Sequence, residues 1–184
     1  MKFDRTVLDG AFVVKLDMKM DDRGWFTRTF CKEEFREIGF AENWVQINHS
    51  SSKLKGTVRG MHFQNLPHVE VKLVRCIRGA VLDVIVDIRF GSPTFLQWFA
   101  VELTAENGQM IYIPRGFAHG FQTLTDEAEL IYHHSEYYAP EAEDGLRYDD
   151  PLIGINWPLA ISNISERDQK RNFIDLDFKG IDVK

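Results

Sequence analysis

Residues 71–88 read VKLVRCIRGAVLDVIVDI, and this stretch decides the fold class. It contains two runs rich in β-branched side chains, 71–77 and 81–88, which Arg78-Gly79-Ala80 separates. Such runs are typical of strands, and a glycine between them is typical of a turn. We therefore predict two antiparallel strands joined as a hairpin.

Similar pairs of runs follow further along the chain. Residues 98–104 and 109–114 flank Asn107-Gly108, a dipeptide typical of a type I′ turn, and residues 120–124 and 128–138 form another pair. Little in the sequence repeats at helical period over a long window. Strands at this spacing, without alternating helices, predict an all-β fold of the sandwich or jelly-roll type.

Helices are predicted at two places only. Residues 32–38 form a short amphipathic run that Gly39 ends. A second helix begins near Ser165, where Ser165-Glu166-Arg167-Asp168 fits the spacing of a capping box loosely. With 184 residues, the chain is expected to be a single domain, 1–184, with a short C-terminal helical segment at about 165–184.

The charge of the chain is unevenly distributed. The net charge of −6 argues against a general nucleic-acid partner, because neutralising phosphates requires a dense basic surface. Residues 126–150 hold nine acidic residues and one arginine, whereas residues 51–89 hold seven basic and three acidic residues. A local anion-binding face is therefore compatible with an acidic protein, although a solvated polar surface is the better explanation of any single charge taken alone.

The sequence offers no sign of a membrane or secretory segment. No stretch approaches 18 uncharged apolar residues, and the first ten residues, MKFDRTVLDG, lack the apolar run of a secretory signal. We expect a cytoplasmic protein without a membrane partner. Cys31 and Cys76 are too few and too isolated for a disulfide framework or a zinc motif, and we expect both to be buried as small apolar side chains.

Two polar side chains lie in strand-like runs where chemistry is possible. In RGMHFQ, residues 59–64, strand alternation places His62 on one face and Arg59 on the other, unless Gly60 marks a bulge. His62 alone is compatible with a hydrogen-bonded core histidine. Lys72 shares a face with Val74 and Cys76, so its ammonium must either reach solvent or meet an anion or a developing oxyanion.

A second histidine, His119, follows a Pro/Gly turn in PRGFAHGF, residues 114–121. His62 and His119 together suggest a metal, but the metal-binding cupin pattern is His-x-His with a following Glu, and Gln64 stands at the second histidine position. A neutral amide is a poorer ligand than imidazole or carboxylate, which disfavours a metal site. Asp168 is suited either to orient a histidine or to cap a helix, and Tyr132 either to act chemically or simply to pack.

Many ordered blocks along the chain together resemble the dTDP-4-dehydrorhamnose 3,5-epimerase family, a metal-free branch of the cupin-like jelly rolls. The resemblance covers nearly the whole chain. The matching blocks are DRGWF (22–26), RGMHFQ (59–64), KLVRC (72–76), residues 83–89, SPTF (92–95), residues 114–121, INWP (155–158) and SERD (165–168).

The resemblance implies a cofactor-independent epimerase of nucleotide-sugar metabolism. The expected reaction converts dTDP-4-dehydro-6-deoxy-D-glucose to dTDP-4-dehydro-L-rhamnose by epimerisation at C3 and C5 through enolates. By family analogy His62 is the base, with Asp168 holding its imidazole, and Tyr132 is the acid on the other face of the sugar. Lys72 then stabilises the enolate oxygen.

The resemblance also implies a set of substrate-binding residues and a homodimer. Arg23 and Arg59 match positions that grip the diphosphate, and N-terminal strands, about 1–30, are expected to be exchanged between subunits. The other expected contacts are Gln46, Asn48, His119, Tyr138 (or Tyr137, as a base-stacking ring), Glu143 and Arg167. No metal and no cofactor are expected.

One position departs from the family pattern. Arg28 stands where rhamnose-pathway relatives carry a glutamate, near the expected nucleotide pocket, so we include it among the binding residues. The reversed charge leaves open a different base or sugar, or epimerisation at C3 alone. Two other hypotheses stay open: a metal-dependent cupin enzyme using His62 and His119, and a non-catalytic module that binds sugar nucleotides.

Overall fold

The structure, a computed structural model, describes residues 1–183 and is built almost entirely of short strands. The first elements are β1 (Lys2–Arg5), β2 (Phe12–Lys15), β3 (Lys19–Asp21), β4 (Gly24–Phe26), α1 (Lys32–Arg36), β5 (Gln46–Ser52), β6 (Val58–Gln64) and β7 (Lys72–Arg78). The remaining elements are β8 (Ala80–Asp87), β9 (Trp98–Thr104), β10 (Gln109–Ile113), β11 (Phe117–Thr123), β12 (Ala128–His134), β13 (Glu143–Gly145) and α2 (Glu166–Gln169).

The strands form two antiparallel sheets that pack against each other. One sheet has the order β1-β2-β10-β7-β12-β5, and the other has the order β13-β6-β11-β8-β9. Their facing sides share an apolar core, with Val74 and Leu130 from the first sheet against Ile85 and Phe121 from the second. The prediction of an all-β jelly-roll fold with a few short helices is confirmed.

The predicted hairpins are wrong, because each predicted pair of strands lies in opposite sheets. Strand β7 pairs with β10 and β12, whereas β8 pairs with β9 and β11. Only Gly79 lies between β7 and β8, which leaves no room for a two-residue hairpin loop. The chain instead turns a corner there, at a φ of 70°, and a Cβ on residue 79 would collide with Thr125 Oγ1 of a neighbouring corner.

The other two predicted pairs also cross between the sheets. In the first of them, β9 pairs with β8, whereas β10 pairs with β2 and β7. In the second, β11 pairs with β6 and β8, whereas β12 pairs with β5 and β7. Gly108 has a positive φ of 62° but Asn107 does not, so the turn is not type I′. Each of these three connections therefore carries the chain from one sheet to the other.

The two helices begin where the sequence predicts but are short. Helix α1 ends at Arg36, and Gly39 follows with a φ of 87°. The expected helical segment 165–184 contains only α2, and no helix is present from 170 to 183. Lys184 lies outside the described residues. Cys76 is buried as expected, but Cys31 is only partly buried because it precedes α1 near the surface. Neither helix within residues 1–183 is long and apolar enough to cross a bilayer.

Candidate active site

A cleft of about 490 Å³ opens between the two sheets. Strands β5, β7 and β12 line one wall, β6 and β11 line the other, and α2 closes one side. The cleft collects all four side chains expected to be catalytic, namely His62, Lys72, Tyr132 and Asp168. It also collects six of the expected binding residues: Asn48, Arg59, His119, Tyr138, Glu143 and Arg167.

His62 is held by the carboxylate of Asp168. The distance from His62 Nε2 to Asp168 Oδ1 is 2.7 Å, and Ser165 at the N-cap of α2 accepts a hydrogen bond from the Asp168 amide at 3.1 Å. Burial raises the pKa of Asp168, but the hydrogen bond and charge of His62 outweigh burial, so this pKa lies below its usual value. Asp168 is therefore an anion that orients the ring and leaves His62 Nδ1 as the basic atom.

A bulge in β6 brings Arg59 to the same cleft as His62. His62 pairs with His119 and Arg59 pairs with Phe121, so two residues of β6 lie opposite one residue of β11. Gly60 makes this possible, since its φ is 126° and a Cβ there would lie 2.5 Å from the Cα of Gly120. The bulge, which sequence analysis left as an alternative to strict alternation, is what the structure contains.

His119 is held by a carboxylate that sequence analysis did not include in the site. Its Nε2 lies 2.9 and 3.0 Å from the two carboxylate oxygens of Asp83, a residue of β8 with no exposed surface. Burial raises the pKa of Asp83 despite the opposing charge and hydrogen bond of His119. The available signal was an acidic residue within the apolar run VLDVIVDI, where a charge needs a partner.

Lys72 meets an anion supplied by the protein. Its side chain is nearly buried, and its Nζ lies 3.0 Å from Glu70 Oε1. The other oxygen of Glu70 accepts a hydrogen bond from His134 Nδ1 at 2.6 Å. Glu70 and His134 both line the cleft, and sequence analysis named neither of them. Glu70 lies two residues before Lys72, the strand spacing that places two side chains on one face.

Tyr132 presents a protonated hydroxyl to the cleft. Its hydroxyl hydrogen-bonds Ser50 Oγ at 2.9 Å, and its ring lies edge-on to His119 with 6.1 Å between the ring centroids. Burial raises the pKa of Tyr132 well above its usual value. The phenol therefore keeps its proton at neutral pH and can act as an acid but not as a base.

The mouth of the cleft carries a small polar group of residues. Glu143 Oε2 accepts hydrogen bonds from the Tyr138 hydroxyl at 2.7 Å and from Arg167 at 2.8 Å. Arg59, which also lines the cleft, is exposed and donates to Ser52 Oγ at 3.0 Å, at the other end of β5 from Gln46. A flat ring, a carboxylate and two guanidinium groups suit a nucleoside diphosphate, which needs stacking, a base contact and charge neutralisation.

Three of the expected binding residues do not line this cleft. Gln46 stands behind Asn48 and reaches it by a 3.1 Å hydrogen bond from its Nε2 to Asn48 Oδ1. Arg23 is 89% exposed and pairs with Asp21, because within residues 1–183 its β3–β4 hairpin pairs with no other strand. Arg28 pairs with Glu34 beside helix α1.

The donor set of the cleft does not suit a metal ion. Gln64 turns its amide to the backbone, donating to the carbonyls of His68 and Tyr137 and accepting from the Ala139 amide at 2.7 Å. The Nε2 atoms of His62 and His119 are committed to separate carboxylates. Within residues 1–183, no three or more His, Cys, Asp or Glu side chains are grouped to hold a metal ion.

Comparison with known proteins gives consistent matches over nearly the whole chain. The sequence profile described as dTDP-4-dehydrorhamnose 3,5-epimerase matches residues 5–175. The chain is 44% identical over 180 residues to the Shigella flexneri dTDP-4-dehydrorhamnose 3,5-epimerase, which covers 97% of this chain and 99% of the relative.

Two solved structures are also similar. The first is dTDP-6-deoxy-D-glucose-3,5-epimerase from Legionella pneumophila in complex with dTDP-4-keto-L-rhamnose, with a TM-score of 0.91, 36% identity and coverage of 100% of this chain and 99% of that chain. The second is ChmJ, a 3′-monoepimerase from Streptomyces bikiniensis in complex with dTDP-quinovose, with a TM-score of 0.84, 36% identity and coverage of 91% of this chain and 85% of that chain.

Proposed function

Because the chain belongs to the dTDP-4-dehydrorhamnose 3,5-epimerase family, we propose that its cleft epimerises C3 and C5 of dTDP-4-dehydro-6-deoxy-D-glucose, a step of dTDP-rhamnose and cell-surface polysaccharide biosynthesis. The product is dTDP-4-dehydro-L-rhamnose. The observation that carries the assignment of the residues is the 2.7 Å contact between His62 and Asp168 in a cleft shared with Lys72 and Tyr132. The charged substrate does not cross membranes unaided, and we propose a cytoplasmic location.

His62 is the base in this proposal. The 4-keto group acidifies the C–H bonds at C3 and C5, so removal of either proton gives an enolate. His62 Nδ1 takes the proton, and Asp168 stabilises the imidazolium that forms. The ammonium of Lys72 donates a hydrogen bond to the enolate oxygen, where it lowers the energy of the developing negative charge.

Tyr132 returns a proton to the opposite face of the carbon. Its raised pKa keeps the phenol protonated until the strongly basic enolate carbon draws the proton away. The phenolate that forms is reprotonated from solvent, and His62 releases its proton to solvent, so the enzyme ends each turnover unchanged. Two separate acid/base groups on two faces are what inversion requires.

Binding of the nucleotide is proposed at the mouth of the cleft. Arg59 and Arg167 neutralise the diphosphate, and Tyr138 stacks on the base. Glu143 holds Tyr138 and Arg167 in place through its two hydrogen bonds. Asn48 and His119 contact the sugar.

A homodimer would complete this site. Met20, Trp25 and Phe26 of the β3–β4 hairpin are half to three-quarters exposed, and β5 is an edge strand whose Ile47 is also exposed. Docking the hairpin of one chain against the β5 edge of its partner would bury both features. It would also bring Arg23 and Arg28 near Gln46 and the partner's cleft, which is the exchange expected for residues 1–30.

Epimerisation at C3 alone is the second candidate function. The specific observation that favours it is Arg28 in place of the family glutamate, together with similarity to a 3′-monoepimerase.

Exchange in deuterium oxide separates these functions. The purified chain is incubated with dTDP-4-dehydro-6-deoxy-D-glucose, and the recovered sugar is examined by NMR. Deuterium at C3 and C5 supports the double epimerase, and deuterium at C3 alone supports the second candidate. Absence of label at both carbons, with a folded chain that binds the substrate, contradicts both.

Replacement of the base gives an independent test. His62→Ala is expected to slow exchange by roughly 10³-fold, a typical contribution of general acid/base catalysis. His49→Ala is the matched control, since His49 is exposed and pairs with Glu129 outside the cleft. Near wild-type turnover by His62→Ala would remove its role as the base.

A further inference from the structure

Glu70 divides its two oxygens between Lys72 and His134. Oε1 lies 3.0 Å from Lys72 Nζ, and Oε2 lies 2.6 Å from His134 Nδ1. All three side chains are nearly buried, with about a tenth of each exposed. An unpaired ammonium in this position would be costly, so the carboxylate fixes both the charge and the direction of Lys72.

His134 extends this contact toward the binding side of the cleft. Its Nε2 lies 3.3 Å from Asn48 Nδ2, Asn48 Oδ1 accepts from Gln46 Nε2 at 3.1 Å, and Gln46 Oε1 accepts from the Tyr138 amide at 3.2 Å. Asn48 Nδ2 is only a donor, so His134 Nε2 accepts and Nδ1 carries the hydrogen that Glu70 receives. Each donor in the series points the same way, from Tyr138 toward Glu70.

The charges of these groups agree with that pattern. Burial raises the pKa of Glu70, but the charge of Lys72 and the hydrogen bond from His134 outweigh burial, so the pKa lies below its usual value. Glu70 is therefore an anion that occupies one of the three N–H donors of Lys72 and leaves two for a substrate.

We propose that Glu70 and His134 are positioning residues for Lys72, which hold its ammonium where the enolate oxygen develops and link it through Asn48 to the nucleotide-binding side of the cleft. This inference rests on the proposed function of the cleft. It adds a third imidazole–carboxylate pair to the site, after His62–Asp168 and His119–Asp83, and the role of this pair is to aim a lysine and not to move a proton.

The first test measures kcat and KM of Glu70→Gln with dTDP-4-dehydro-6-deoxy-D-glucose between pH 5 and 10. We expect kcat to fall about 10-fold or more with KM within about twofold, as is typical when a residue that orients an active group is lost. The alkaline limb of kcat should move to lower pH, because a buried ammonium without its carboxylate loses its proton more readily. The other titratable groups facing Lys72 are Tyr132 and His134 from β12, Asp83 from β8 and His119 from β11.

The second test compares two variants at His134. His134→Phe removes the donor to Glu70 and should lower kcat about 10-fold, whereas His134→Asn keeps an N–H near the Nδ1 position and should restore most of the loss. Glu129→Gln is the control. Glu129 of β12 binds His49 of β5 at 3.0 Å, on the two strands that also carry His134 and Asn48, but this pair lies outside the cleft. Should Glu70→Gln fail to fold, the His134 comparison alone decides.

The outcomes separate this inference from the proposed function. A Glu70→Gln chain with kcat within twofold of wild type and an unshifted alkaline limb overturns the inference, provided that Lys72→Met is inactive. Equal losses in His134→Phe and His134→Asn overturn it too. A folded wild-type chain that exchanges no deuterium contradicts the proposed function itself, and the inference falls with it.

Discussion

His62 and His119 lie directly opposite one another on the antiparallel strands β6 and β11, and each imidazole is held by a different buried carboxylate. Asp168 reaches His62 from α2, and Asp83 reaches His119 from β8. Burial dominates at Asp83 and raises its pKa, whereas the partner dominates at Asp168 and lowers its pKa. The two histidines therefore differ in electrostatic surroundings although they are neighbours, which suits one base and one substrate contact.

Tyr132→Phe should separate proton removal from proton return. The variant keeps His62, so deuterium should still enter the sugar with retained configuration, but net epimerisation should fall by roughly 10²- to 10³-fold for lack of the acid. NMR of the recovered sugar measures both quantities in one sample. Tyr112→Phe is the control, because Tyr112 is a buried tyrosine with a raised pKa that lies outside the cleft. Normal epimerisation by Tyr132→Phe would exclude it as the acid.

Asp83→Asn should gain stability over wild type as pH rises. A carboxyl whose pKa is raised on folding binds its proton more tightly in the folded state, so the wild type loses stability as pH rises above about 4 through the folded pKa. The asparagine has no such proton to lose. Urea unfolding of both chains at about pH 4 and at pH 8 should show a difference in unfolding free energy that moves in favour of Asp83→Asn as pH rises. A difference that stays constant would contradict the raised pKa.

Asp168→Asn should change the unfolding free energy with the opposite dependence on pH. A depressed pKa contributes stability that is present above the unfolded value of about 4 and is lost as pH falls through the folded pKa. The difference in unfolding free energy between wild type and Asp168→Asn, measured by urea unfolding, should therefore shrink as pH falls below about 4.

Strand positions were predictable from the sequence, but strand partners were not. A hairpin and a corner between sheets both show two apolar runs around Gly79 or Asn107, and only contacts with distant strands distinguish them. The grouping of His62, Lys72, Tyr132 and Asp168 was predictable because residue types and family blocks agree there, and the structure places all four in one cleft.

The pairings of Glu70 with His134 and of Asp83 with His119 were not accessible from the sequence, for the same reason as the strand partners. His134 and Glu70 are 64 residues apart, and His119 and Asp83 are 36 residues apart, so only the β7–β12 and β8–β11 registers bring them together. The sequence indicates that Asp83 needs a partner, because it lies within an apolar run, but it does not identify His119 as that partner.

Gln64→Leu should destabilise the chain without affecting metal content. The Gln64 amide satisfies three backbone groups next to the cleft, and leaving buried groups of this kind unpaired costs about 1–3 kcal/mol each. Thermal melting should show a fall in Tm of at least several degrees, while the Tm of a variant at an exposed glutamine, Gln97→Leu, should be near that of the wild type.

Gln64→His should likewise lower Tm and bind no stoichiometric zinc, because the amide of Gln64 points away from His62 and His119 toward backbone. A zinc-loaded Gln64→His chain would contradict this geometry.

Arg23→Ala and His62→Ala should restore activity to each other when they are co-expressed. Within one chain Arg23 projects on the β3–β4 hairpin and does not line the cleft, so in the proposed homodimer it serves the partner's site. Alone, Arg23→Ala should raise KM about tenfold through loss of a charge-assisted hydrogen bond, and His62→Ala should be inactive. In a mixed dimer one cleft combines an intact His62 with an intact Arg23 from the partner, while the other cleft carries both defects. When the mixed dimers are isolated through two different tags, about half of their sites should therefore return to wild-type KM. Activity with only the raised KM of Arg23→Ala would mean that Arg23 acts within its own chain.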